Sequence, residues 1–80
     1  MPTILRVGPY RFFFYAGDDN EPIHVHVERE DNIAKFWLDP VSLQRSRGSR
    51  RPEIARIMKM IEEHRTEIME AWHEYFGSRT

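Results

Sequence analysis

Two histidines two residues apart carry the densest chemistry in the chain, within Glu21-Pro22-Ile23-His24-Val25-His26-Val27. On a strand, residues i and i+2 project from the same face, so His24 and His26 stand close enough to share a divalent ion. Asp18, Asp19, Glu21 and Asp39 are the carboxylates placed to complete a two-histidine, one-carboxylate set. The strand pairing derived below sets Asp39 opposite His24, so His24, His26 and Asp39 form the candidate metal set. Imidazoles titrate near neutrality, which also suits them to general acid–base work. No serine, threonine or cysteine stands beside them as a nucleophile, so the enzymatic reading is a metal-dependent hydrolase or nuclease. A hydrogen-bonded histidine pair packed against Tyr15, Trp37 and Asp39 fits the same pattern with no ligand at all.

The second chemical feature is a basic segment, Arg45, Arg47, Arg50, Arg51 and Arg56, interrupted only by Glu53. It runs into the start of a helix, the positive end of the helix dipole, where each arginine costs up to about 1 kcal/mol. Glu62, Glu63, Glu67, Glu70 and Glu74 load the opposite end. A bound anion relieves this arrangement, so Arg45, Arg47, Arg50 and Arg51 are candidate anion or nucleic-acid contacts. Ordinary solvated surface charge is the plain alternative.

The elements that must position these groups follow from two different periods. Residues 4–7 form a short apolar run closed by Gly8-Pro9, and residues 10–16 an aromatic run closed by the turn cluster 17–22. Residues 24–28 and 33–38 alternate in the manner of half-buried strands, Asp39-Pro40 interrupts the ladder, and residues 41–43 make one more short strand. From 49 to 76 the period changes. Ile54, Ile57, Met58, Ile61, Ile68, Trp72, Tyr75 and Phe76 recur at three-and-four spacing, with His64 and Arg65 at a missing turn of that stripe. Ser49 is the expected N-cap and Gly77 the expected stop. The expected fold is therefore α+β: a small antiparallel sheet of three to five strands with one long C-terminal helix on one face.

Register follows from keeping apolar residues together. A reversal around Asp31-Asn32 sets Val27 opposite Phe36 and Val25 opposite Leu38, with His26 opposite Trp37 and His24 opposite Asp39. On the preceding hairpin, Arg11 stands beside Glu28, Phe12 beside Val27 and Phe13 beside His26. The single helix covers the face bearing Phe12, Phe14, Val25, Val27, Phe36 and Leu38. The other face holds three aromatics among its charges, so Tyr15, His24, His26 and Trp37 are expected to form a partner- or ligand-binding surface.

Composition sets the outer bounds. The chain has 80 residues, enough for one domain spanning 1–80, and no cysteine, which excludes a disulfide scaffold or a thiol nucleophile. A formal charge of −1 argues against a generally basic nucleic-acid coat but not against a local patch. With no long apolar run, the expectation is a cytoplasmic protein without a membrane partner.

Read as a whole, Pro2-Thr3-Ile4, the aromatic strand, the stretch Gly17 to Val27, Ala34-Lys35-Phe36-Trp37-Leu38 and the closing Glu70-Ala71-Trp72-His73-Glu74-Tyr75-Phe76 resemble the bacterial domain-of-unknown-function family numbered 4160. Its signature is Glu-Pro-x-His-x-His, and Ile23 stands where family members usually carry a second proline. The resemblance implies genes paired with another small domain in toxin–antitoxin-like modules. The leading expectation is thus a protein-interaction module whose partner is the neighbouring gene's product or a second copy of this chain. The alternatives are the metal-dependent hydrolase or nuclease, with a divalent metal as cofactor, and nucleic-acid binding through residues 45–56.

Overall fold

The computed structural model describes residues 3–77. Pro2, where the resemblance begins, and the last three positions of the expected domain lie outside the described residues. Five strands, β1 (Thr3–Val7), β2 (Tyr10–Phe13), β3 (His24–Arg29), β4 (Asn32–Leu38) and β5 (Val41–Arg47), form an antiparallel meander in chain order. Two helices follow, α1 (Arg51–Glu63) and α2 (Arg65–Phe76), and a single 3-10 turn at Asp18–Asn20 sits between β2 and β3. No helix among the described residues is long and apolar enough to cross a membrane.

Turn chemistry sets the register. Gly8, with φ of 57°, opens the two-residue turn between β1 and β2, a conformation that glycine adopts without steric cost. Glu30, with φ of 54°, does the same between β3 and β4 without being a glycine. That turn is Glu30-Asp31, because Arg29 pairs with Asn32. Val25 therefore faces Phe36, Val27 faces Ala34, His24 faces Trp37 and His26 faces Lys35. The expected pairing of Val27 with Phe36 and His24 with Asp39 is displaced by two residues. A two-residue slip keeps every side chain on its face, so alternation cannot detect it. The β2–β3 pairing, Arg11 to Glu28, Phe12 to Val27 and Phe13 to His26, stands as derived.

Beyond residue 43 the chain stays extended, since β5 continues to Arg47. Gly48 ends it with φ of 94°, and a Cβ there would collide with the Asn32 side chain. The cap position of α1 is Arg50 rather than Ser49, with Pro52 in the first turn. The expected single helix is broken at His64, whose φ of −108° and ψ of 15° leave the helical region. The break falls at the missing turn of the apolar stripe. There Arg65 donates from Nε to the Leu38 carbonyl at 2.9 Å, anchoring the junction to the end of β4. Gly77, with φ of 78°, follows α2 as expected.

The core lies between the helices and one face of the sheet. Phe12, Phe14, Val25, Val27, Phe36 and Leu38 bury there against Ile57, Ile61, Ile68 and Trp72. Ile54 is partly buried at its margin, while Tyr75 is left 44% exposed. A second polar tie, besides that of Arg65 to Leu38, joins helix to sheet. Glu53, in the first turn of α1, accepts from the Tyr10 hydroxyl at 2.9 Å and from Arg29 Nε at 2.6 Å. The Arg29 hydrogen bond above all, then that of Tyr10, holds the Glu53 carboxyl below the usual carboxylate range.

Ile61 is completely buried, so Ile61→Ala should cost roughly 2–5 kcal/mol in urea unfolding, enough to unfold much of so small a domain. A carboxyl depressed in the folded state stabilises above its unfolded pKa and loses that contribution as pH falls through its folded one. Glu53→Gln should therefore lower the unfolding midpoint at neutral pH and flatten its decline on acidification. A loss equal at neutral and acid pH would refute the ionic tie.

Candidate metal centre

After Phe13 the chain leaves β2, turns back over the sheet and returns to it at His24. Local hydrogen bonds shape this connection. The Tyr15 amide donates to Asp18 Oδ2 at 2.8 Å, and the Asp18 amide donates back to the Tyr15 carbonyl at 3.1 Å. This reciprocal pair, an aspartate side chain taking the amide three residues before it, follows the pattern of a capping box. Here the loop aims the Asp18 carboxylate at the two histidines. Its Oδ1 lies 3.1 Å from His24 Nε2 and its Oδ2 3.0 Å from His26 Nε2. The three ligand atoms all lie within 4.8 Å of one another, and this is the one such group found among the described residues.

The two histidines differ in their surroundings. His24 is fully buried, its ring flanked by Trp37 at 5.6 Å and by Trp72 of α2 at 5.3 Å. Its Nδ1 lies 2.8 Å from the Pro22 carbonyl, and a carbonyl only accepts, so Nδ1 carries the hydrogen. A neutral ring then has its lone pair on Nε2. That atom is buried without a hydrogen-bond partner, although Asp18 Oδ1 is close. A carbonyl on the far ring nitrogen is how proteins fix the tautomer and orientation of metal-ligating histidines. His26 stacks on Phe13, with ring centroids 5.4 Å apart, and meets Tyr15 at 4.6 Å. Burial pulls its pKa below the usual histidine value, outweighing the Asp18 carboxylate that raises it.

Most of the expected site residues fall around this group, and several do not join it. Asp39 lies apart, at the β4–β5 turn, 3.4 Å from Arg65 Nη2 and largely exposed. Asp18 occupies the carboxylate position instead. Glu21 forms an ion pair with Lys35, and Lys35 also rests over the Trp37 ring at 5.0 Å. Tyr15 is 37% exposed beside His26. Arg45 and Arg47 line a cleft of about 390 Å³ together with Tyr15, His26 and Lys35. Arg50 lies in another hollow, with Arg29, Glu53 and Arg56, and Arg51 is exposed at the start of α1.

The expected open aromatic face is closed over the two histidines, whereas Tyr15 stays partly exposed and Trp37 is half-buried. Phe13, His24 and His26 are 1%, 0% and 7% exposed. The connection from 14 to 23 supplies the cover with Tyr15 and Asp18, and Trp72 shields His24. The reason is chemical: buried imidazoles need partners, and the loop leading into β3 supplies the Asp18 carboxylate. The Asp18–Asp19 pair marked this loop in the sequence. Nothing periodic distinguished one aspartate from the other.

Comparison with curated proteins and with solved structures yields no match. A family model does match, over residues 10–73, a span that holds Asp18, both histidines and the whole basic cleft. The chain belongs to the family described as domain of unknown function (DUF4160).

Proposed function

We propose that Asp18, His24 and His26 bind a divalent transition-metal cation and that this centre serves a hydrolytic reaction. The observation carrying the proposal is the buried, unpartnered Nε2 of His24 beside a carboxylate oxygen. A lone pair facing an anion in a dry site is unfavourable, and a cation between them reverses the sign of the interaction. Two imidazoles and one carboxylate suit zinc, iron and nickel, and three protein ligands are the number usual for catalytic zinc. Such a cation polarises a substrate oxygen and makes its bound water a nucleophile near neutral pH. The cleft reaching His26 supports access from solvent.

A second reading keeps the protein as an interaction module, one component of a toxin–antitoxin-like pair. Its support is what the family resemblance implies about paired genes, together with the exposed Tyr15 ring. Under it, the Asp18–histidine group is a staple holding the loop to the sheet.

Titration calorimetry with zinc, nickel and manganese separates the two. The metal reading expects micromolar or tighter binding by at least one ion, weakened tenfold or more by Asp18→Asn and by His24→Ala. At a concentration 100 times Kd, the ion should add about 2.7 kcal/mol of stability to the parent protein. Absence of binding in the micromolar range ends the metal reading. A complex with the neighbouring gene's product that survives Asp18→Asn favours the interaction module.

A further inference from the structure

We infer that the cleft between Tyr15, His26 and the β5 arginines seats the phosphate of a phosphate ester, which makes phosphate esters the substrate class of the metal centre. This rests on the hydrolytic reading of Asp18, His24 and His26. The first support is the strand geometry. Lys35 pairs with Arg45, but Phe36 pairs with Leu43, so Gln44 is an extra residue on β5. Before this bulge, Leu43 and Val41 pair with Phe36 and Leu38, residues of the helix-covered face. Regular alternation would carry Arg45 and Arg47 onto that same face. The bulge shifts their phase and turns both toward the histidines, a re-aiming for which bulges are known near functional sites.

The second support is charge. Lys35 and Arg45 stand directly opposite each other on one face, and like charges so placed are destabilising. Phe13, His26, Lys35 and Arg45 make one continuous row across β2 to β5. Lys35 has Glu21 as a counterion. Arg45 and Arg47 form no hydrogen bond or ion pair among the described residues, and both are exposed. Two unpaired guanidinium groups beside a third cation form a cradle for a multiply charged oxyanion, which arginine binds through paired N–H donors.

The third support is shape. A cleft of about 390 Å³ has the volume of a small-molecule site and accepts a nucleotide-sized ester. The exposed face of Tyr15 at its rim offers a surface on which a base stacks. The same phosphate chemistry is presented by a free nucleotide and by a single-stranded nucleic acid, and the cleft recognises what they share.

The test uses the full chain and two probes, adenosine monophosphate in calorimetry and a fluorescein-labelled oligothymidylate in anisotropy, with and without saturating zinc. At least one probe should bind, and Arg45→Gln with Arg47→Gln should weaken it tenfold or more. Because both residues are exposed, circular dichroism should show an unchanged fold, and zinc affinity should also be unchanged. Binding of the oligothymidylate with a logarithmic salt slope of about −0.7 per phosphate contact identifies a strand as the source. Preferential binding of the monophosphate identifies a free nucleotide. Failure of both probes below millimolar concentration, or equal binding by the double variant, overturns the inference while leaving zinc binding intact. Arginine-dependent binding in a protein that takes up no zinc upholds the anion site and places the failure in the metal centre.

Discussion

One carboxylate folded back onto two buried imidazoles governs how this small sheet is finished. His24 and His26 lie on the face opposite Val25 and Val27, where α2 reaches His24 through Trp72, and both are removed from water. Asp18 brings its two oxygens to both rings, hydrogen-bonded to His26 Nε2 at 3.0 Å and 3.1 Å from the unpartnered His24 Nε2. To do so the connection after β2 must bend back over the sheet. That bend delivers Tyr15 against His26 and leaves Phe13 sealed beneath it.

The sheet is therefore used on both faces, by different means. Against α1 and α2 it builds the apolar core, where burial of Phe12, Phe14, Phe36, Ile61 and Ile68 supplies the stability. Against the 14–23 connection it builds a polar interior of rings and charge. A chain of this length has little core to spare, so the second layer is thin and is held by hydrogen bonds. The two layers meet at Trp72, which packs against Phe14 at 5.1 Å and against His24 at 5.3 Å.

Charge is distributed with the same division. Cations gather along β5 and the start of α1, whereas α2 carries Glu67, Glu70 and Glu74. Those three glutamates ring the larger hollow of about 520 Å³ beside Thr3 and Ile4. Size does not mark the chemically equipped site. The smaller cleft beside His26 combines an imidazole ring, the partly exposed Tyr15 and two guanidinium groups that are unpaired among the described residues.

What the residues alone determined were the features that repeat. Alternation placed His24 and His26 on one face and Val25 and Val27 on the other, and the three-and-four stripe from Ile54 to Phe76 included the buried Ile57, Ile61, Ile68 and Trp72 but also the exposed Tyr75. The same stripe implied one continuous helix, and the break at His64, where Arg65 is held by the Leu38 carbonyl, belongs to the tertiary structure. Three-dimensional packing decided everything that does not repeat. Glu30 in a left-handed conformation moved the β3–β4 pairing by two residues, which alternation permits equally. Gln44 as an extra residue in β5 turned Arg45 and Arg47 toward the histidines. Asp18, rather than Asp39, became the carboxylate of the site, because proximity in a loop depends on where the backbone turns, and a turn leaves no period for a linear pattern to show.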